Sequence, residues 1–574
     1  MVKKMNFIEL IRSNMTDEDV KLLDDIYSPE EVAICDKDAW NSLCVTRSGA
    51  IRYYGRYRPK NIFEFDTARR CYIESTDGGL TWKRHLKPDG TLGAGDYIPF
   101  LDKYMEADFT WKTGITIRIA SDIGAPIEEE YKLPLEGLAE PMHFTALKSQ
   151  NRILMVCTEN RFDLHPTAYF QVLLWSDDGR NWHKTELSPA KFFEKTFPHK
   201  GMRWEQNNRE AAVAELDDGT ILMITRTAND FHYMATSTDG GESFSEFTPT
   251  TFHSDGTMPK LLKLSDGRLL FCFCNTKAMP ERAEADGMWE DFFTNRDVCH
   301  AAISEDDGKT WRGFRELRLS PIRHNHDLRS AGGPEDGGDK SVHQFELMEL
   351  PNGKILMANG QHRLLSRLYI FDPKWLYETS RKEDLLHGFE NLSCQGYVES
   401  IPGGYRGLGY AGHCAYNRIN TALLLPSPEN NGKEALFLAP QTEPHLISKV
   451  SGAVWNFPAL RKGKLTLRAY LPGGSLRLSL LDHWFNPTDD SVEYFAPFSV
   501  TLRRDMQNGE LFTTFEIDFD TENMTARLSA GKYLDLSFRM NGEAPNGLCY
   551  LHLQYASDDM NGAYVTGWKV NGEN

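Results

Sequence analysis

The 574-residue sequence is bounded first by what it lacks. No apolar run approaches the roughly 18 residues that a membrane-spanning helix needs. The ten cysteines are scattered, without the paired spacing of a zinc site or a disulfide framework. A reduced, cytoplasmic setting is therefore expected. Charged residues soon follow Lys3 and Lys4, so no signal peptide is evident. Helical periodicity is thin, with short helices expected only over 6–25 and 373–388. Long βαβ alternation is missing, which argues against a doubly wound sheet or an α/β barrel. Positive charge is also in deficit: 64 Lys and Arg stand against 82 Asp and Glu, a net charge of −18. Such a chain repels nucleic acid and anionic membranes, and neither is expected as a partner. An anionic substrate would have to be held by a local cluster of Arg. No cofactor and no metal is called for, and the oligomeric state stays open.

What the chain does have is a repeat. The segments STDGGLTW at 75–82, STDGGESF at 237–244 and SEDDGKTW at 304–311 share the pattern S-x-D-x-G-x-[ST]-[WF]. WSDDGRNW at 175–182 reads as a degenerate copy that keeps Asp, Gly and Trp. In such a box, Asp and Ser side chains bond to the turn backbone. Gly supplies a positive φ, and the aromatic packs on the sheet beneath. The box staples a hairpin and carries no chemistry of its own. A second repeat, strand–polar turn–apolar strand, recurs in NSLCVTRSGAIRYYGR, PMHFTALKSQNRILMVCTE, REAAVAELDDGTILMITR, MPKLLKLSDGRLLFCFC and HQFELMELPNGKILMANG. A sixth candidate is CAYNRINTALLLPSPENNGKEALFLA. Six such units predict an all-β chain with a six-bladed β-propeller over 30–450, preceded by a helical segment at 1–29. From Trp455 the texture becomes strictly alternating strands without boxes. A jelly-roll-like β-sandwich is expected over 451–574. Trp484, Tyr494 and Phe495 are its candidate sugar-stacking aromatics, with core packing as the commoner fate of such residues.

Asp boxes in successive blades resemble the sialidase (neuraminidase) superfamily over about 30–445. The sharper match is NNREAAVAELDDGTILMITR at 207–226, which opens an inner strand on Glu210 and ends the next on Arg226. The resemblance implies that Glu210 activates a nucleophile and that Arg226 binds a substrate carboxylate. It also implies a general acid/base in the loop before the first box, where Asp66 is the candidate and Glu64 the alternative. Arg56, or else Arg58, matches the Arg that ends the preceding strand. Arg296 is the candidate for a further carboxylate-binding Arg, with Arg282 competing. Counting back nine residues from each turn places Trp40, His143, Met258 and Gln344 at positions equivalent to Glu210. Trp, His and Gln at a propeller mouth offer sugar a stacking face and hydrogen bonds.

The sequence departs from that family in two places. The Arg-Ile-Pro motif before the first inner strand is replaced by DAWNS at 38–42. The nucleophilic Tyr expected before the fifth box-type unit is replaced by His343 and Gln344, while Tyr405, Tyr410 and Tyr416 stand further on. His343 thereby joins Glu210 and Asp66 as a catalytic candidate. The nearby His324 and His326 are spaced too irregularly for a metal site and are expected in a substrate-contacting loop. The function expected is an exo-acting glycoside hydrolase that removes a terminal, acidic sugar from a glycan. The alternatives are a polysaccharide lyase or a uronic-acid or neutral-sugar glycosidase on the same scaffold, and a non-catalytic carbohydrate-binding propeller.

Overall fold

A computed structural model describes residues 16–35, 38–57, 70–110, 114–161, 163–164, 168–190, 208–277, 296–324, 341–360, 365–398, 417–444 and 446–574. The described chain is almost entirely antiparallel β-structure.

Four of the sheets are stapled by boxes. In the last of these, Ser304 Oγ bonds Asp306 at 2.8 Å, and the Asp306 carboxylate accepts from Thr310 N (2.8 Å) and Thr310 Oγ1 (2.6 Å). Trp311 Nε1 closes the turn on Gly308 O at 2.9 Å. The box at 175–182 is one residue shorter rather than degenerate. Ser176 and Asp178 fill the Ser and Asp roles, with Asn181 as the donor (2.7 Å). Asp177, taken from the sequence as the box Asp, instead pairs with Arg152 at 2.6 Å. The box glycine also answers to packing between sheets. At Gly241 φ is +92°, and a Cβ would sit 2.8 Å from Leu173 Cδ2 of the preceding sheet. Asp306→Ala removes a charged acceptor from three donors and is expected to cost about 1.5–3 kcal/mol. Urea denaturation checks this.

Six sheets follow one another. The first comprises Asp38–Val45, Ile51–Tyr57, Arg70–Ser75 and Lys83–Leu86. The second is Asp96–Ile98, Lys103–Thr110, Gly114–Ala120 and Glu129–Lys132. The third runs from Leu138–Ala139 and Phe144–Ala146 through Ile153–Arg161 and Ala168–Ser176 to His183–Glu186. The fourth is Arg209–Glu215, Ile221–Arg226, Phe231–Ser237 and Thr248–His253. The fifth is Lys260–Lys263, Leu269–Phe273, Val298–Ser304 and Arg312–Leu319. The sixth is Glu346–Glu349, Ile355–Asn359 and Arg367–Phe371, completed by the N-terminal strand Glu30–Ile34 in antiparallel register, Glu30 opposite Ile370. Apolar clusters lie between first and second, second and third, and so on round to sixth and first, where Leu43 and Tyr53 meet Leu356 and Leu368. The series of described sheets therefore closes on itself. We propose that these six sheets are the propeller blades.

Two expectations about the repeat need correcting. The second sheet, 96–132, has no box and no Gly in its first turn, where Asp102 takes φ 51° instead. The sequence pattern passes over it. The expected sixth unit at 414–439 is not a blade. Its strands Ala422–Pro426 and Glu434–Leu438 hydrogen-bond into the C-terminal sheet, Leu436 opposite Val565. Strand Ser380–Glu383 also pairs there, with the strand Ala563–Glu573. We therefore propose that the boundary between the two units falls near residue 380 rather than at 450.

The C-terminal unit stacks a long sheet on a five-stranded sheet built around Gly452–Leu460, Leu548–Tyr555 and Ser475–Leu481. Inward residues such as Trp455, Leu465, Phe515 and Leu551 are at most 1% exposed. Trp484 is fully buried among Phe271, Phe273 and Phe485, between sandwich and fifth sheet, so it is core and not a sugar platform. Near the N-terminus, a helix spans Asp17–Tyr27, capped by Thr16 with Asp19 completing a capping box. Its Asp24 accepts from Arg315 (2.6 Å) and Trp375 Nε1 (2.7 Å), which docks it on the fifth and sixth sheets. Of the helix expected at 373–388, only the single 3₁₀ turn Pro373–Tyr377 forms.

Candidate active site

The site is built on an irregularity. In strand Arg209–Glu215 the pairing with Ile221–Arg226 slips between Arg209 and Ala212, and Glu210 takes φ +53°. A non-glycine residue held there costs on the order of 1 kcal/mol or more. The slip breaks strand alternation and lets two consecutive charged side chains share one region. Glu210 Oε2 receives Arg226 Nη1 at 2.6 Å, and Glu210 Oε1 receives Arg209 Nη2 at 3.2 Å. The Glu210 and Arg226 side chains are 12% and 2% exposed. Burial alone would raise the Glu210 carboxyl, but Arg209, Arg226 and His343 outweigh it and hold it well below the usual range. Burial pushes Arg226 down to about 10, with Glu210 opposing and Arg209 and Arg296 adding repulsion. It stays a cation at neutral pH.

Arg209 reaches a second carboxylate, Glu140 of the third sheet, at 3.4 Å, and lies 4.4 Å over the Tyr169 ring. Glu140 also has a positive φ, +52°. Burial raises its carboxyl, Arg209 opposes, and the Glu210 charge raises it further. One guanidinium thus sits between a carboxyl that resists ionisation and one that is firmly ionised. Environments that push two carboxyls apart in this way suit acid–base chemistry.

Arg296 is fully buried at the start of the third strand of the fifth sheet, and its Nη2 donates to Gly256 O at 2.6 Å. Its own carbonyl accepts from Val342 N at 3.0 Å, which ties it to the segment carrying His343. His343 is buried, hydrogen-bonds Ser341 Oγ through Nδ1, and lies 3.4 Å from Gln344 Nε2. The fourth, fifth and sixth sheets thereby bring Glu210, Arg226, Arg296 and His343 into one electrostatic neighbourhood. Asp255, behind Arg296, is pushed up to about 7 by burial, which the Arg296 charge only partly offsets.

His143 belongs to a second cluster. Its Nε2 meets Glu346 at 2.8 Å and its Nδ1 meets Asp96 at 3.1 Å, while Lys260 meets Glu346 at 3.0 Å. Four sheets contribute one residue each. Glu346, with Asp96 adding, lifts the imidazole to about 10 against Lys260 and burial. A free imidazole titrates near 6.5. The stabilisation is therefore complete below about pH 6.5 and lost as pH rises through about 10. Stability should fall from pH 7 to 10.5, and His143→Gln should flatten that slope. Denaturation midpoints across this range measure it.

The other sequence candidates divide as follows. Met258 is buried. Trp40 pairs with Gly55, at a slip like that at Glu210, and Ala39 pairs with Arg56. The side chains of Trp40 and Arg56 lie outside the described residues, as do Asp66, Glu64, Arg58, Arg282, His326, Tyr405, Tyr410 and Tyr416. His324 accepts from Cys394 N at 2.9 Å, and burial pushes it down to about 3. It is a neutral acceptor for that backbone amide, and the rest of the loop, 325–340, lies outside the described residues. Sequence reasoning missed Arg209, Glu140 and Tyr169. Arg209 adjoins Glu210, but the other two come from another sheet, and no spacing announces them.

Antiparallel sheets in closed sequence, four of them stapled by Asp boxes, define a β-propeller, and a buried carboxylate–arginine pair sits on one of its hairpins. A family model described as "BNR repeat-like domain" matches residues 104–362. No curated protein matches the chain. Among solved structures, a protein of unknown function from Dyadobacter fermentans aligns at 17% identity and TM-score 0.39, over 60% of this chain and 96% of its own. A mutant of Trypanosoma rangeli sialidase displaying trans-sialidase activity aligns at 11% and TM-score 0.37, over 96% and 94%. A structure titled sialidase aligns at 10% and TM-score 0.30, over 95% and 52%.

Proposed function

We propose that this chain is an exo-acting glycoside hydrolase that removes a terminal acidic sugar from a glycan. The observation that carries this reading is the ionised Glu210 held by Arg226, with Arg296 and His343 beside them. In a chain of net charge −18, this local concentration of guanidinium is what an anionic sugar would need. Arg226 and Arg296 receive the substrate carboxylate. Glu210 takes the proton of the attacking group, and His343, standing where the family has its Tyr, orients that group. Asp66 protonates the departing oxygen. Glu140, whose carboxyl is raised by burial with the Glu210 charge adding, is a second candidate acid.

A second reading, β-elimination at a uronic acid, is favoured by the imidazole of His343 beside buried arginines. Incubation with a panel of glycans and aryl glycosides ending in acidic or neutral sugars tests both. Release of an acidic sugar, lost in Asp66→Asn and Glu210→Gln, supports the hydrolase. A product absorbing in the ultraviolet from a new C=C bond would replace it with the lyase. Glycan binding without any product, unchanged in Glu210→Gln, would leave a binding propeller.

A further inference from the structure

A different cluster lies where the fourth sheet meets the sandwich. His253 ends the strand Thr248–His253, and Asp482 and His483 follow the strand Ser475–Leu481. His253 Nε2 lies 3.3 Å from Asp482 Oδ2, and His483 Nδ1 lies 2.6 Å from Asp482 Oδ1. The two imidazoles stack with centroids 3.7 Å apart. One donor atom from each of the three residues falls within 4.8 Å of the others. Among the described residues, this is the one group of three or more His, Cys, Asp or Glu so placed.

Three further observations point to a ligand. First, His483 is 3% exposed, and its Nε2 has no hydrogen-bond partner among the described residues. Burying such a nitrogen unsatisfied is costly. Second, the segment is held in place before any ion arrives. Trp484 N donates to Asn275 O, Lys277 N donates to Trp484 O, and Asn275 Nδ2 donates to Asp482 O, each at 2.8 Å. Third, a cavity of about 350 Å³ opens beside the cluster, lined by His253, Asp482, His483, Lys277 and Glu543. It supplies an entry path and a further carboxylate. The Lys277 charge there is met by Asp230 at 3.1 Å.

We propose that His253, Asp482 and His483 bind a divalent transition-metal ion of the zinc class, which bridges the fourth sheet to the C-terminal sandwich. Two imidazole nitrogens and one carboxylate oxygen are the donor set that zinc accepts, with the remaining position left to water or Glu543. Metal–ligand bonds near 2.0–2.1 Å in a tetrahedron put neighbouring ligand atoms about 3.3 Å apart. The His253–Asp482 separation already has that value. The sequence gives no sign of this site, because 229 positions separate His253 from Asp482.

The test uses the full chain, stripped with chelator and titrated with Zn²⁺ alone in a calorimeter, with bound metal counted by mass spectrometry. One equivalent per chain is expected, together with a rise in the thermal midpoint. His483→Ala and, at the less buried position, His253→Gln should each weaken binding by at least about 100-fold, more than outer-shell changes typically do. His387→Ala, at an exposed histidine elsewhere, should leave it unchanged. Co²⁺ should give a visible absorption band that His253→Gln abolishes. Failure to bind one equivalent, or binding indifferent to both His253→Gln and His483→Ala, would overturn the proposal. The cluster would then be a hydrogen-bonded bridge between the two units.

Discussion

Replacing Glu210 by Gln is expected to lower kcat/KM by about 10²–10⁴-fold, the range a positioned acid–base group contributes. The same substitution should be costly to the fold. Arg226 and Arg209 would lose the carboxylate that compensates them in a nearly closed setting. Breaking a buried pair by removing one partner costs about 3–5 kcal/mol. Both effects have one cause, so they should separate in the double variant. Glu210→Met with Arg226→Met removes both charges and should recover much of the stability, while activity stays lost. Equilibrium denaturation and steady-state kinetics on the single and double variants measure this. Equal instability in the single and double variants would show that the pair is not what holds this region.

The second large effect is expected at Asp297, next in sequence to Arg296. Its Oδ2 receives Arg418 Nε at 2.8 Å, with side chains 1% and 2% exposed. Burial raises the Asp297 carboxyl, and Arg418 and Arg323 oppose that rise. Asp297→Asn keeps the shape and removes the charge, and it should cost about 3–5 kcal/mol. Because Arg418 lies in Asn417–Asn420, beyond the sixth sheet, the pair ties that strand to the wall that carries Arg296. The substitution should therefore also raise KM for an acidic substrate more than it lowers kcat. Denaturant midpoints at constant slope, alongside kinetics, check both parts.

The physical origin of each feature decided whether it could be read in the sequence. Asp boxes are local: the bonds that Ser304, Asp306 and Trp311 make within the 304–311 turn join residues at most four positions apart, so the motif reports the turn directly. The second sheet has no such turn, and its strands Lys103–Thr110 and Gly114–Ala120 leave no punctuation to count from. The hairpin at 422–438 looks like a blade unit because a strand–turn–strand pattern does not say which sheet it joins. Pairing with Ala563–Glu573 decides that, more than a hundred positions away. Shortening a box by one residue moved the apparent Asp from Asp178 to Asp177.

The site follows the same logic. Glu210 and Arg226 face each other across one hairpin, so counting along it reached the pair. Glu140 and Tyr169 approach from the third sheet, and only the folded ring brings them to Arg209. His143 stood at the counted position, yet its partners Asp96, Glu346 and Lys260 come from three other sheets. Counting could place it near the axis but could not name its company.

The measurement that bears most directly on the function is product analysis in ¹⁸O water. Purified protein is incubated with glycans capped by an acidic sugar, and the products are weighed by mass spectrometry. Hydrolysis at the terminal bond predicts free acidic sugar carrying one ¹⁸O, a glycan shorter by that unit, and neither product from Glu210→Gln. An unsaturated, unlabelled product, or intact glycan after incubation with a fully folded chain, would contradict it.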